Sequence, residues 1–359
     1  MPLDRSIDAM SPEPSSDLPA VATDAVFVDH TELRGRACVV VDGPVLPGCA
    51  LTLSHWPTAA TPPALAADTS TEIVDRYLRL ATRGPSVGAV TNNHYDEDGI
   101  LGLWMLLERP PIDDPRRTLA IESAEAGDFR TWTTPWAPKV ALALAAFAER
   151  PTTPFPDVLR ALSSQSGRDP AGAICAAVLP RVGALLDDPL RYQRFWQPMW
   201  SAVEEDLALV DSGAVLIQEL PDVDLAVVRS SRVLDPLAIY PRTRCSRVLT
   251  IVADELVAVR DRYESWVRFA SRRVPPRVDL TALAERLTAS DPLAGGRWRY
   301  EGVAAITPRL LRSGPGGGAM PTGLDPAMIL DELIATYASA DADPLSPSYD
   351  QAPPMDLLP

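Results

Sequence analysis

Val87-Gly88-Ala89-Val90-Thr91-Asn92-Asn93-His94-Tyr95-Asp96-Glu97-Asp98-Gly99 carries an apolar run into a polar tip, and Ile100, Leu103, Trp104 and Leu107 then recur at helical spacing. The first part reads as a buried strand closed at Thr91, the last as an amphipathic helix over 99–108. Working outward, residues 37–41 form a β-branched run closed by Asp42-Gly43, and 50–53 a second run closed by Ser54-His55. A fourth run, 118–121, is closed by Glu122, and 69–83 has Ile73, Tyr77 and Leu80 on one helical face. Strands alternating with helices predict a parallel α/β sheet.

Beyond it, helical patterns at 140–149, 157–162, 171–186 and 189–210 predict a wholly helical cap. From residue 214 the pattern turns to neighbouring strands at 214–219, 223–228, 247–252, 256–259 and 265–269, with a helix at 325–337. The expected fold class is α/β: a parallel-sheet N-terminal domain with a helical insert, then a smaller α+β C-terminal domain with antiparallel strands. The expected divisions are a disordered tail over 1–24, a metal-binding α/β domain over 25–210 with its cap at about 138–210, a substrate domain over 211–337, and a disordered acidic tail over 338–359.

Composition narrows the function. The 359 residues carry 33 basic and 48 acidic side chains, a net charge of -15. A field of that sign repels a phosphate backbone, which excludes general nucleic-acid binding. The longest apolar stretch, 140–147, is far short of the ~20 residues of a membrane helix. The polar start has no secretory pattern, so the expected compartment is the cytoplasm. Cys38, Cys49, Cys175 and Cys245 form no C-x-x-C pair, so they read as small core residues rather than a zinc or dithiol site. No Walker loop or G-x-G-x-x-G fingerprint occurs. The partner that remains is a small-molecule substrate, for a chain whose state is open between monomer and homo-oligomer.

His94, Asp96 and Asp98 stand at i, i+2 and i+4, so an extended backbone sends all three to one side. In an open parallel sheet ligands bind beyond the carboxyl ends of the strands, and Asp42, His55, His94 and Glu122 all fall at such ends. Glu125 and Asp128 follow, with Glu122 and Glu125 on one helical face at i, i+3, and one of these carboxylates would complete a two-metal site. Imidazole with carboxylates suits Mn²⁺, Fe²⁺, Co²⁺ or Zn²⁺, with Mg²⁺ also admitted. The competing reading makes Asp98 an N-cap and Asp96 and Glu97 a solvated acidic turn.

His94-Tyr95-Asp96-Glu97-Asp98-Gly99 resembles the H-x-D-x-D-G motif of the DHH phosphoesterase superfamily. That resemblance implies two metal ions, often manganese, at the end of a parallel sheet, with a C-terminal substrate domain marked by a glycine loop. Gly316, Gly317 and Gly318, before the helix at 325–337, are similar in kind and place, although Ala319 stands where the family has histidine and no Asp-His-His triplet occurs. The resemblance implies hydrolysis of a small phosphoester or pyrophosphate. Asp42, His94, Asp96, Asp98 and either Glu122 or Asp128 would hold metal, His55 would act as general acid, and Asn92 and Asn93 would orient substrate. Arg247 or Arg309 would pair with phosphate. The segments Leu53 to Pro57, Asp68 to Glu72 and Asn92 to Asp96 together also resemble an uncharacterised bacterial family of unknown function. Two alternatives stand beside the phosphoesterase: metal-dependent hydrolysis or ring-opening of an amide or other small metabolite, and a catalytically silent binding protein.

Overall fold

The computed structural model describes residues 17–80, 84–149, 152–163 and 170–341. Its first layer is built on β1 (Ala20–Phe27), β2 (Cys38–Val41), β3 (Cys49–Leu53) and β4 (Ser86–Thr91), with α1 (Ser70–Leu78) between the last two. The sheet order is β1-β4-β2-β3 and every pair is parallel. Central β2 is buried from end to end, which is why its sequence is a continuous apolar run rather than an alternation. Only residues 42–48 return the chain from β2 to β3. They start with Asp42 in the left-handed region (φ 50°) and continue through Gly43, Pro44 and Pro47.

β1 overturns part of the expected N-terminal tail. Its chain is fixed by Tyr77, whose hydroxyl donates to the Pro19 carbonyl at 2.7 Å and accepts from the Val21 N–H at 3.1 Å. Only Val21 is buried in this edge strand, and Thr23 and Asp24 interrupt its apolar residues, so no continuous run marks it. Residues 1–16 of that expected tail, and 342–359 of the expected acidic tail, lie outside the described residues.

α2 (Glu97–Glu108) is sheathed by α1, by α3 (Pro115–Asp128) and by the cap helices, and is buried from Asp98 to Leu106. The expected strand at 118–121 is part of α3. Asp114 starts that helix by accepting the Arg116 N–H at 2.9 Å, with Pro115 in the first turn. Buried Ala120, Ser123, Ala124 and Gly127 then continue a helical stripe that a four-residue window cannot reveal. The cap itself forms as expected, from α4 (Trp136–Ala148), α5 (Pro156–Ser163), α6 (Ala171–Asp187) and α7 (Gln193–Asp211).

The second sheet contains β5 (Leu216–Leu220), β6 (Leu225–Ser230), β7 (Arg247–Val252), β8 (Leu256–Asp261), β9 (Arg297–Tyr300) and β10 (Arg309–Ser313). Their order is β5-β6-β7-β8-β10-β9. Every neighbouring pair is antiparallel except β6 and β7, because α8 (Pro236–Ile239) lies in a crossover between them. α9 (Thr281–Ser290) and α10 (Pro326–Asp341) supply the apolar side chains that cover one face. The expected strand at 265–269 is instead a single 3-10 turn and loop. Trp266 and Val267 are apolar there because they press against Trp56 and Phe129 of the N-terminal part.

Candidate metal centre

Four backbone ends converge at the carboxyl edge of the first sheet. β2 delivers Asp42, β3 delivers His55, β4 delivers Asn92, Asn93 and His94, and α3 ends on Asp128. α2 begins beside them with Asp96 and Asp98. The histidine and carboxylate atoms fall into two groups that share Asp42. In the outer one, His94 Nε2 lies 2.9 Å from Asp96 Oδ2 and 3.2 Å from Asp42 Oδ2. In the inner one, His55 Nε2 lies 3.5 Å from Asp42 Oδ1, 3.5 Å from Asp128 Oδ2 and 3.8 Å from Asp98 Oδ2. The His94 and Asp96 side chains are 29% and 26% exposed, whereas His55 and Asp98 are wholly buried.

This donor set could hold a divalent metal. His55 Nδ1 lies 2.6 Å from the Asp68 carbonyl oxygen, which can only accept, so Nδ1 carries the ring proton and Nε2 turns its lone pair toward three carboxylates. His55 Nε2, Asp128 Oδ2 and Asn92 Nδ2 are all buried without a hydrogen-bond partner, and the buried Asp42 Oδ2 faces the His94 nitrogen. Concentrated lone pairs out of water repel one another unless a cation or protons intervene. Space for an ion is kept by Gly99, where a Cβ would stand 2.8 Å from Asn92 Nδ2, 3.0 Å from Asp96 Oδ1 and 3.3 Å from Asp42 Oδ2.

The electrostatics agree. Burial, reinforced by the charges of Asp98, Asp96 and Asp42, pushes the Asp128 carboxyl well above the usual carboxylate range, and burial raises Asp98 too. For His94 burial opposes the charged ring, but the Asp96 and Asp42 carboxylates prevail and raise its pKa well above the ordinary value. Without a metal, these groups retain protons that a bound cation would displace.

The structure thus brings together Asp42, His55, Asn92, His94, Asp96, Asp98 and Asp128, with Asn93 at the rim, 3.2 Å from His94 Nδ1. The N-cap of α2 is Asp96, whose Oδ1 accepts the Gly99 N–H at 2.8 Å. Asp98 instead accepts the Ser70 and Thr71 N–H groups of α1, each at 2.7 Å. Glu122 is engaged elsewhere, accepting from the Thr134 hydroxyl. Arg247 is buried under the second sheet, donating to the Val223 and Pro276 carbonyls at 2.8 Å each and stacking on Tyr337. Arg309 pairs with Glu301, and Gly316, Gly317 and Gly318 form an open turn just before the Ser313–Ala319 bridge. None of these five makes a contact in the cluster.

Several participants left little trace in the sequence pattern. Ser70 donates from its hydroxyl to Asp42 Oδ1 at 2.7 Å, and its position at a helix start is a visible but unspecific signal. The ring of Tyr263 sits 5.8 Å from that of His55. Burial and then the Asp128, Asp42, Asp96 and Asp98 charges hold its phenol well above its ordinary pKa. Nothing local announces that pairing. Gly84-Pro85-Ser86-Val87-Gly88 has the spacing of a serine-hydrolase elbow, but Ser86 opens β4, whereas an elbow serine follows its strand.

Residues 23–323 match the model of a family of unknown function, DUF6687, and the chain belongs to that family. The match contains every residue of the cluster. No curated protein matches the chain. No helix among the described residues is long and apolar enough to cross a membrane.

Proposed function

We propose that this DUF6687 member is a divalent-metal-dependent hydrolase of a small phosphoester or pyrophosphate, diverged from the DHH phosphoesterases and selecting Mn²⁺. The observation that carries the reading is that His55 Nε2 and Asp128 Oδ2, both buried without a hydrogen-bond partner, face each other at 3.5 Å with Asp42 Oδ1 and Asp98 Oδ2 at 3.5 and 3.8 Å from the same nitrogen. His55, Asp98 and Asp128 would hold an inner ion, His94 and Asp96 an outer one, and Asp42 both. Divalent ions there would supply charge neutralisation and lower the pKa of a bound water toward neutrality. The protein's own groups do the positioning. Asp68 fixes the ring proton of His55 on Nδ1, which makes His55 a ligand rather than the general acid its strand-end position suggested. Asn92 keeps an unpartnered N–H donor beside Asp42, suited to a substrate oxygen. The half-exposed His94 and Asp96 side opens to solvent, where a small substrate can enter. Arg268 donates its backbone N–H to the His55 carbonyl at 2.8 Å, so an exposed arginine belongs to the segment held against the end of β3.

One observation favours the amide or small-metabolite reading. Arg247 and Arg309, the residues expected to pair with phosphate, are committed elsewhere, and the glycine turn closes only on its own Gly314. The test is elemental analysis of chelator-stripped protein after Mn²⁺ reconstitution, followed by phosphoester, pyrophosphate and amide panels. One or two equivalents are expected, with at least about tenfold weaker binding in Asp42→Asn. Less than about a tenth of an equivalent would overturn the metal reading. Bound metal with amide turnover alone would move the assignment to the second reading. Bound metal with no turnover would make the chain a binding protein.

A further inference from the structure

The opposite edge of the first sheet, where strands begin, holds two of the four cysteines. Cys38 opens β2 and Cys49 opens β3. They are register partners across that parallel pair, which slips by one residue immediately afterwards. Neighbouring strands run about 4.8 Å apart, inside the roughly 4.4–6.8 Å that separates the Cα atoms of bonded cystines. Both thiols are free. Cys38 is buried and Cys49 half-buried. Cys38 and Cys49 pack in one small apolar cluster, and the Cys49 sulfur lies 3.2 Å from the Thr52 hydroxyl. Sequence separation hid this pair: eleven residues and a helix-free return place side by side two cysteines that form no recognisable motif.

We infer that Cys38 and Cys49 form an oxidisable dithiol that closes to a disulfide when a peroxide reaches Cys49. The two sulfurs have the asymmetry the chemistry needs, an accessible nucleophile and a sheltered partner in contact with it. The neighbouring Cys38 thiol and then the Thr52 hydroxyl outweigh burial and bring the Cys49 thiol down to about 6, whereas its neighbour's pKa is raised. The Cys49 thiolate attacks one peroxide oxygen. An S–O bond forms as the O–O bond breaks, and the departing hydroxide takes a proton to become water. Cys38 sulfur then attacks the Cys49 sulfenic sulfur, the S–S bond forms, and the S–O oxygen leaves with the Cys38 proton as a second water. Two thiols are oxidised and one peroxide is reduced to two waters. The bridge ties together the origins of the strands whose far ends carry Asp42 and His55, but the inference does not depend on the metal reading.

The test exposes the native full chain to a small excess of hydrogen peroxide, then counts thiols after denaturation and maps the peptides. Four thiols should fall to two. The intact mass should drop by about 2 Da, and dithiothreitol should restore both thiols and mass. The cross-linked peptide should join Cys38 to Cys49. Cys49→Ser should form no bridge, while Cys175→Ser should still form it. Wild-type peptide mapping decides the matter even if a variant misfolds. Four surviving thiols, a bridge between other cysteines, or sulfinic and sulfonic products on Cys49 without a bridge would overturn the inference.

Discussion

Asp98 directs both carboxylate oxygens at backbone N–H groups of a helix other than its own. Asparagine would keep one acceptor and turn an N–H₂ group against the other donor. Asp98→Asn should therefore cost about 1–3 kcal/mol, a fall of roughly 2–6 °C in Tm measured by calorimetry in chelator. A true N-cap at this position would have tolerated the change. The sequence spacing identified the right side chains but not this duty, since a cap across two helices has no local signature. Glu125 offers a pH counterpart. Burial, with the charges of Glu72, Asp68 and Glu122, raises its carboxyl from 4.5 to about 7. Between those values folded Glu125 keeps a proton the unfolded chain has lost. Its contribution is thus fully present below 4.5 and lost as pH rises through 7. Glu125→Gln should flatten that decline, gaining on the order of 1 kcal/mol at pH 8 after solvent screening and nothing at pH 4, by urea melts in chelator.

At the level of elements, the N-terminus of α2 is the decisive junction, and Gly99 its critical position. Helix propensity alone credits Gly→Ala with up to about 1 kcal/mol. Here the added methyl meets Asn92 Nδ2, Asp96 Oδ1 and Asp42 Oδ2. Gly99→Ala should consequently lower Mn²⁺ affinity by about tenfold or more in calorimetric titration. An unchanged affinity would show that no ion occupies this cradle. Elements with strong signatures were legible: the runs ending at Asp42, His55 and His94 became β2, β3 and β4, and the four cap helices matched their periodicity. Those that deceived had a long-range cause. Residues 118–121 look like a strand because Leu119, Ala120 and Ile121 all pack toward the first core, and β1 looked like coil because Thr23 and Asp24 interrupt its apolar residues, of which only Val21 is buried. β9 and β10 were hidden by arginines: Arg312 is buried through carbonyl contacts at Pro321 and Leu293 and an ion pair with Asp291, a neutralisation no sequence window displays.

Across the whole molecule, the N-terminal half holds all the candidate ligands and the C-terminal half supplies the wall beside them. Trp56 meets Trp266 at 5.1 Å, and Phe129 meets Phe269 at the same separation. Arg262 reaches back to the Phe129 carbonyl while paired with buried Glu264. This wall was illegible because its partners are far apart in the chain, and the alternation of the 265–269 run suggested a strand instead of an interface. The ligands themselves were legible because parallel-sheet topology sends every strand end to one edge, whatever lies downstream.

Asp68 joins the two halves through a single residue. Its carbonyl fixes the proton of His55, and its carboxylate Oδ1 accepts the Ala270 and Ser271 N–H groups at 2.7 and 2.8 Å. During synthesis the ligands emerge long before residue 270, so a nascent chain already owns all six of them while the clasp on Asp68 is missing. The acceptor that orients the imidazole then lacks its downstream anchor, so a chain cut before residue 270 is expected to bind Mn²⁺ more weakly than the full protein in calorimetric titration, and equal affinity would show that the clasp has no bearing on the cluster.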